Sequence, residues 1–402
     1  MRTIFLLDID CFFASVEMAL HPELRGRPLV VGGKRDDRGI VACPNYEARA
    51  YGVRTAMPLR TAARLLPPDA AFVRGSHALY GEYSERVMTL LEGFTPDVEQ
   101  VSVDEAYMDV TGCLHLWGGD PLRMAAAMKE RIMRECGLGV SIGIASTRVC
   151  AKIAAGLKKP DGLVLVPPGA EREFLAPLPV EVVPGVGPKT LPRLHARGIV
   201  TVGDALARRG GEDSWIGRHL RVVAQGKDDA VVHADRVEKS ISRDTTFPED
   251  LNESSLVCST LYYLAERVCK TLRRRGEAAG TVTVKLRYTD FVTVQRQATL
   301  ALPSANEEEL FGTARRLLLP LLADPRRVRL VGVKASRIAA ADAQLALPVT
   351  GMERRALLHS RLDALQEKHG YAAVQWGITS VLRERFRADD DGYHLHSPVY
   401  EL

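Results

Sequence analysis

The predicted order of strands and helices is the feature that most limits the fold of this chain. In residues 1–165 the order is β-α-β-β-α-β once a segment at about 11–73 is set aside as an insertion. Residues 242–338 repeat it, with helices predicted over 254–275 and 306–322. We therefore predict an α+β protein whose two units share this topology, although no sequence repeat relates them.

Two adjacent carboxylates interrupt a strand-like stretch at residues 102–110, SVDEAYMDV. Neighbouring side chains of a strand point to opposite faces, so Asp104 and Glu105 can serve one site only if the chain turns there or a cation binds both. In the predicted sheet this turn lies at the same edge as Asp8, the end of the first strand. The sequence thus predicts three carboxylates in one place, while Asp109, farther along the second strand, is expected to be structural.

Three carboxylates at one sheet edge raise one another's pKa unless a cation compensates their charge. Oxygen ligands without a nearby His or Cys favour Mg²⁺ or Mn²⁺ over zinc, and two such ions about 3.5–4 Å apart support phosphoryl transfer. The alternative is that Asp104 and Glu105 form an ordinary polar hairpin turn, the commoner case for such a pair alone. The predicted position of Asp8 favours the metal site.

Side chains suited to phosphate accompany these carboxylates. Tyr46 and Arg49 are three residues apart on a predicted short helix, so an OH donor and a guanidinium fork share one face. A solvated helix is the alternative. Three lysines lie on the predicted helix over 147–157 or at its end, where they also suit the helix dipole: Lys152, Lys158 and Lys159.

The segment PGVGPK, residues 184–189, lacks the spacing of a Walker loop, so we do not predict ATP binding there. A glycine hairpin between two short helices exposes backbone N–H groups, which can hold a nucleic-acid phosphate without reading sequence. A plain helical turn remains the alternative.

Composition limits size, compartment and partners. A chain of 402 residues with 46% hydrophobic and 26% charged residues is expected to form two to four domains. Its seven cysteines are scattered without a C-x-x-C pair, and no leader or membrane span is apparent, so we predict reduced thiols and a cytoplasmic protein. Residues 240–338 hold 16 basic and 11 acidic side chains, whereas residues 1–165 hold 20 of each. This basic block is a candidate surface for a polyanion.

Five motifs, in order along the chain, resemble those of the Y-family DNA polymerases. They are DIDCFFASVE (8–17), NYEARAYGVRTAMP (45–58), VSVDEAYMDVTG (101–112), GVSIGIASTRVCAKIAAGLKKPDG (139–162) and VPGVGPKTLPRLHARGI (183–199). The resemblance covers about residues 1–340. It implies template-directed DNA synthesis of low fidelity past damaged bases, in which a primer 3′-OH attacks the α-phosphorus of a dNTP and pyrophosphate leaves.

The resemblance also implies a right-hand polymerase architecture. We expect a ferredoxin-like βαββαβ palm, small fingers, a helix-hairpin-helix thumb and a βαββαβ little-finger domain that binds DNA. The expected bounds are 1–10 and 74–165 for the palm, 11–73 for the fingers, 166–232 for the thumb, 233–241 for a linker, 242–338 for the little finger and 339–402 for a C-terminal tail.

By match to the family motifs, Asp8, Asp104 and Glu105 would hold two Mg²⁺ ions, with the Ile9 carbonyl completing one coordination shell and Mn²⁺ as a substitute. Phe13 would be the steric gate that excludes a 2′-OH, unless it is only a core aromatic residue. The other nucleotide-binding positions are Phe12, Tyr46, Arg49 and Lys159, and the nascent base pair would lie against Ala42 and Ala56.

The expected partners are primer-template DNA, dNTP and a sliding clamp, with the protein itself a monomer. DNA contacts are expected at Gly185, Gly187 and Lys189 of the thumb and at Arg327 and Arg329 of the little finger. The segment AQLALPV (343–349) resembles a clamp-binding peptide at Gln344, Leu345 and Leu347, although Pro348 replaces its aromatic residue and the terminal SPVYEL competes with it. Pro44, expected to stiffen the fingers loop, and Gly156 also depart from the family pattern.

Three other classes of protein fit the sequence less well. A catalytically inactive relative that acts as an adaptor in damage tolerance would be expected to lack palm carboxylates, which are all present here. A nucleotidyl cyclase would not need a helix-hairpin-helix and a basic block after the palm. A non-enzymatic DNA-binding module would not need Phe13 together with the phosphate-binding set.

Overall fold

The computed structural model divides into two compact units, Met1–Arg236 and Val237–Leu402, and each is described by itself. Within this chain the structure describes residues 2–207, 214–228, 230–233, 238–341, 352–389 and 392–398. No helix in these ranges is both long and apolar enough to cross a membrane. All seven cysteines are unpaired.

The first unit contains eight strands and ten α-helices within the described residues. The strands are β1 (Ile4–Ile9), β2 (Leu29–Val31), β3 (Cys43–Pro44), β4 (Ala71–Val73), β5 (Val98–Gln100), β6 (Glu105–Asp109), β7 (Val140–Ala145) and β8 (Leu163–Leu165). The helices are α1 (Phe12–Leu20), α2 (Tyr46–Ala50), α3 (Leu59–Leu65), α4 (His77–Glu92), α5 (Pro121–Cys136), α6 (Arg148–Leu157), α7 (Glu171–Leu175), α8 (Leu191–His195), α9 (Asp204–Ala207) and α10 (Trp215–Ala224).

Its main sheet has the strand order β5-β6-β1-β7-β8. The central strand β1 is antiparallel to both β6 and β7, which confirms the predicted ferredoxin-like arrangement. The edge strand β8, parallel to β7, was not predicted. A smaller sheet, β3-β2-β4, belongs to the inserted segment, and its strand β4 was also not predicted. Pro44 lies on the edge strand β3, where a missing N–H is tolerated.

The strand β1 separates two hydrophobic cores, because its side chains alternate between the faces of the sheet. Phe5, Leu7 and Ile9 pack in the core that α4 and α5 cover. Ile4 and Leu6 pack in a second core with α6 and the short helices α7 to α10. Alternation therefore places Asp8, at the end of the strand, on the side of α6.

The segment after α10 is attached to the main sheet of the first unit. Arg148 of α6 donates two hydrogen bonds to Glu99, at 2.6 and 2.9 Å, and a third to the carbonyl of Val231 at 2.6 Å. The same Glu99 carboxylate accepts the backbone N–H of His233 at 2.9 Å. The expected linker thus begins at a residue that is bonded to this sheet.

The second unit has six strands and four α-helices in its described part. The strands are β9 (Ser240–Leu251), β10 (Glu277–Tyr288), β11 (Thr293–Ser304), β12 (Val328–Ala340), β13 (Phe386–Asp389) and β14 (Gly392–Pro398). The helices are α11 (Ser254–Arg274), α12 (Glu307–Leu322), α13 (Met352–His369) and α14 (Ser380–Arg385). The order β9-α11-β10-β11-α12-β12 confirms the predicted βαββαβ succession.

The sheet of this unit has the order β11-β10-β12-β9, and our expectation that the two units share a topology was wrong in this respect. In the first unit the second hairpin strand, β6, pairs with the first strand, β1. In the second unit the first strand, β9, instead pairs with the last strand, β12, which lies between β9 and β10. A helical crossover can place the next strand on either side of the hairpin, so element order alone does not determine strand order.

The C-terminal segment contributes to the core of the second unit, whereas we expected residues 339–402 to form a tail. Tyr371, Leu382, Phe386, Tyr393 and Leu395 are buried in that core. A charged contact also joins α13 to α11, since Arg273 donates to both oxygens of Asp363, at 2.7 and 2.8 Å.

A buried carboxyl group lies beneath this segment. Glu266 of α11 is 4% exposed and accepts hydrogen bonds from Tyr371 at 2.7 Å and from Gln366 at 3.3 Å. Burial raises the pKa of Glu266 from 4.5 to about 7, against the hydrogen bond from Tyr371, and the charge of Glu307 adds to the rise. The folded state therefore favours the protonated carboxyl group.

We predict that Glu266→Gln removes a pH-dependent loss of stability. Below pH 4.5 Glu266 is protonated in both the folded and the unfolded state. As the pH rises to about 7 the unfolded chain releases this proton first, so the free energy of unfolding of the second unit falls by on the order of 3 kcal/mol. Urea unfolding of the full chain should show the variant gaining this amount over wild type between those pH values. The exposed Glu384→Gln is the control. A constant difference between Glu266→Gln and wild type would contradict the prediction.

Candidate active site

The pairing of β1 with its two neighbours brings the predicted carboxylates to one edge of the sheet. Asp8 lies directly opposite Glu105 on β6 and opposite Ser141 on β7. The backbone N–H of Ile9 donates to the carbonyl of Asp104 at 2.8 Å, which fixes the turn before β6. The hairpin turn therefore places the adjacent residues Asp104 and Glu105 beside the end of β1.

Two lysine side chains contact these carboxylates. Lys159 forms an ion pair with Asp8, and Lys152 donates to both oxygens of Glu105, at 2.5 and 2.7 Å. Asp104 instead accepts a hydrogen bond from Ser102 at 2.5 Å. No group of three or more His, Cys, Asp or Glu side chains in the described ranges has the arrangement of a metal site. Ammonium groups thus compensate two of the three charges in this arrangement.

The electrostatic state of Asp8 suits a cation. Partial burial raises the pKa of Asp8 above its ordinary value, and the ion pair with Lys159 opposes that rise. The charges of Asp104 and Glu105 raise the pKa further, as expected for carboxylates at one site. An oxygen-only donor set that already attracts two ammonium groups fits a hard divalent cation.

Tyr46 and Arg49 share a face of α2, as predicted. The guanidinium of Arg49 lies 5.1 Å from the centre of the Tyr46 ring and donates to the Pro44 carbonyl at 3.1 Å. The helix begins at the buried Asn45, whose side-chain oxygen accepts from the N–H groups of Ala48 and Leu29 at 3.0 and 2.9 Å. This cap fixes α2 against β2.

Asp10 connects the two parts of the site, and we did not predict this. It is 4% exposed and accepts from Tyr46 O–H at 3.2 Å, Ser141 O–H at 2.9 Å and the N–H of Asp161 at 2.7 Å. It thereby holds both the tyrosine of α2 and the loop that carries Lys159. The available signal was its place in the motif DIDCFFASVE, two residues after Asp8.

The Phe13 ring is supported from one side. It stacks on Tyr80 of α4 with ring centres 4.2 Å apart and an interplanar angle of 12°, and it is half-buried. Tyr80 is held by its O–H, which donates to the buried Glu17 at 2.6 Å. Phe12 is buried in the core beside the same tyrosine. Neither Glu17 nor Tyr80 was singled out from the sequence.

Ala42 and Ala56 lie together in the inserted segment. The N–H of Ala56 donates to the carbonyl of Val41, next to Ala42, at 2.8 Å. Ala56 has a φ of 67°, in the left-handed region. Gly156, the second departure from the family pattern, lies near the end of α6, with no atom near the position that a Cβ would take.

In the thumb hairpin Gly185 has a φ of 95°, and a Cβ there would lie 3.2 Å from the Trp215 ring. The Gly187 carbonyl accepts from the N–H groups of Thr190 and Leu191, and Lys189 is exposed. The required conformation of Gly185 explains this glycine without a ligand.

The remaining predicted site residues belong to the second unit. Arg327 is exposed, whereas Arg329 pairs with Asp250 at 3.7 Å and lies 4.4 Å from the centre of the Phe291 ring. The clamp-binding segment with Gln344, Leu345 and Leu347 lies outside the described residues.

We predict that Asp10→Asn destabilises the first unit by on the order of 1–3 kcal/mol. The amide has one acceptor oxygen in place of two and no charge, which weakens the hydrogen bonds from Tyr46, Ser141 and Asp161. Urea unfolding measures the change. The control is Asp120→Asn, which removes one charge from the exposed N-cap of α5 but keeps a good cap. Equal stabilities of the two variants would contradict the role given to Asp10.

Three family models match the sequence in order. The impB/mucB/samB family matches residues 7–156, the IMS family HHH motif matches 168–199, and the impB/mucB/samB family C-terminal domain matches 238–347. These matches include the carboxylate site, the thumb hairpin and the second βαββαβ unit.

Curated proteins and solved structures agree with these models. The DNA polymerase IV of Dehalococcoides mccartyi is 41% identical over 390 residues, which cover 96% of this chain and 99% of that protein. The DNA polymerase IV of Caulobacter vibrioides is 39% identical over 92% of each chain. A Y-family DNA polymerase chimera of Dbh and Dpo4 matches with a TM-score of 0.78 at 29% identity, covering 84% of this chain and 99% of that one. The crystal structure of DinB from Sulfolobus solfataricus matches with a TM-score of 0.59 at 28% identity, covering 83% and 98%. The chain therefore belongs to the Y family of DNA polymerases and is a DNA-directed DNA polymerase of the translesion type.

Proposed function

We propose that Asp8, Asp104 and Glu105 are the catalytic carboxylates with which this polymerase extends a primer, and that the Ile9 carbonyl is a further metal ligand. The observation that carries the proposal is the direct opposition of Asp8 and Glu105 on the neighbouring strands β1 and β6, with a lysine ammonium on each. These groups already form a site whose negative charge requires compensation.

Two Mg²⁺ ions, or Mn²⁺ in their place, fit this set of oxygen donors, and when bound they would stabilise charge on the attacking 3′-oxygen and on the leaving pyrophosphate. The chain's own lysines contribute to the same balance of charge. We propose that Lys159, which pairs with Asp8 in this structure, moves to the triphosphate when a nucleotide binds, because divalent cations at the carboxylates would then compensate the charge of Asp8.

Tyr46, Arg49 and Lys159 are proposed to hold the triphosphate. Asp10 orients two of them, since it accepts from Tyr46 and from the backbone of the loop that carries Lys159. Phe12 and Phe13 are proposed to lie against the nucleotide, with the Phe13 ring blocking a 2′-OH. The stacking of Phe13 on Tyr80 supports this role, because the ring cannot retreat in that direction.

The contacts with larger partners are proposals of the same kind. Ala42 and Ala56 would leave space beside the nascent base pair. Backbone N–H groups near Gly185 and Gly187, the exposed Lys189, and Arg327 and Arg329 would bind the primer-template backbone. We further propose a monomer that works in the cytoplasm and binds a sliding clamp through Gln344, Leu345 and Leu347. An inactive adaptor finds no support, since all three carboxylates are present and adjacent.

We predict that Asp104→Asn abolishes magnesium-dependent primer extension, because the site loses one negative charge. Primer-template binding should stay within about twofold of wild type. Extension of a labelled primer and a binding titration measure the two quantities. The matched control is Asp109→Asn at the other end of β6, where Asp109 accepts from Thr111 and is outside the proposed site. Undiminished extension by Asp104→Asn would refute the assignment.

We predict that Phe13→Ala lowers the discrimination between dNTP and NTP by about 10- to 100-fold, because removing the ring opens space for the 2′-OH. The ratio of kcat/KM for the two nucleotides measures it. Phe13→Leu keeps more of the side chain and should give a smaller change. If Phe13→Ala leaves the ratio as in wild type, Phe13 serves only for packing.

A further inference from the structure

A basic cavity of about 530 Å³ lies in the second unit, between α11, β9 and the end of α13. Three of its cations share one face of α11, at spacings of three and four residues: Arg267, Lys270 and Arg274. Arg243 of β9 and Lys368 of α13 line the other walls. The cavity thus collects five permanent positive charges from three elements.

The cavity lies on the helix side of the sheet. Arg243 alternates with Ile241 and Thr245, which are buried on that side. The next residue, Asp244, faces the other way and pairs with Lys285 at 2.5 Å across the open face. The cavity is therefore separate from the open face of the sheet.

Negative charge inside the cavity is scarce. The only carboxylate among its described lining residues is Glu367, 4.0 Å from Lys270. Arg243 and Arg274 form no ion pair within the described residues. Partial loss of water and the nearby charge of Arg267 both lower the pKa of Arg243, as expected where cations crowd together. Such repulsion destabilises the fold unless an anion relieves it.

The usual structural reason for basic residues explains only part of the cluster. Lys368 and His369 end α13, where cations compensate the helix dipole. That reason does not apply to Arg243, which is on a strand, or to Arg267, which lies within α11. The helix dipole therefore does not explain why Arg243 and Arg267 line the same cavity, whereas a bound anionic ligand would.

We propose that this cavity binds a compact anion with a chain of phosphates, such as an inorganic oligophosphate or the phosphate chain of a free nucleotide. Guanidinium forks match phosphate oxygens, and five cations suit a ligand with several charges in a small volume. A volume of about 530 Å³ is that of a small-molecule site. The competing occupant is an extended nucleic-acid backbone, which a long groove would fit better than a compact cavity does.

The test uses the full chain in EDTA at low ionic strength, with inorganic tripolyphosphate as the probe in isothermal titration calorimetry. Lys270→Gln combined with Arg274→Gln should weaken tripolyphosphate binding at least about tenfold. Primer extension should stay at the wild-type rate, since neither residue belongs to the proposed active site. The matched control, Arg287→Gln with Lys334→Gln, removes the same charge from the other face of the sheet. It should bind tripolyphosphate as wild type does.

Further variants keep the outcome decisive. Arg49→Ala with Lys159→Ala removes phosphate binding at the proposed active site, so retained tripolyphosphate binding by this variant assigns the signal to the cavity. If the first double variant does not fold, Lys368→Gln with His369→Gln tests the opposite wall. Titration of dATP into the Arg49→Ala and Lys159→Ala variant distinguishes an inorganic oligophosphate from a free nucleotide as the ligand. Tighter binding of dATP than of tripolyphosphate would indicate that the cavity also contacts the nucleoside.

Three results would overturn the proposal. The first is no binding of tripolyphosphate to the wild-type chain. The second is an equal loss in the cavity variant and in the control, which would indicate net charge alone. The third is weaker binding of single-stranded DNA by the cavity variant with unchanged tripolyphosphate binding, which would make the cavity part of a nucleic-acid surface.

Discussion

The antiparallel pairing of β1 with β6 is the contact on which the first unit depends. It places an apolar strand between two cores, and it sets Asp8 opposite Glu105 at the one edge where the strand becomes acidic. Because side chains alternate along a strand, a shift of register by one residue would turn Asp8 into the core that α4 and α5 cover and Leu7 to the side of α6. The same strand pairing therefore determines both the packing that stabilises the palm and the positions of the carboxylates.

Charged side chains also connect the separate parts of the site. Lysines from α6 and from the loop after it reach the carboxylates, and Asp10 binds that loop and Tyr46 together. The groups proposed to meet the triphosphate thus come from α2 and from the loop after α6 but converge on one buried acid. A cation that entered would compete with ammonium groups that already compensate two of the three carboxylate charges.

Much of this was predictable from the sequence. The helices predicted over 254–275 and 306–322 lie within one residue of Ser254–Arg274 and Glu307–Leu322, and the SVDEAYMDV turn could be placed beside Asp8 from the order of elements alone. Short strands such as Leu163–Leu165 carry too few residues for a pattern. The strand order of the second sheet depends on packing between distant segments. The role of Asp10 was missed because it depends on donors that are 36 to 151 residues away, which no local pattern reports.

The burial of the C-terminal segment changes what the region before it can be. The chain leaves β12 at Ala340 and enters α13 at Met352, and the elements after α13 complete the core of the second unit. The candidate clamp-binding residues at 344–347 thus lie in the sequence between two elements of the folded unit. Deleting everything after residue 341 would remove these residues and part of the core together, so truncation cannot separate recruitment from folding, and only substitutions at these residues can.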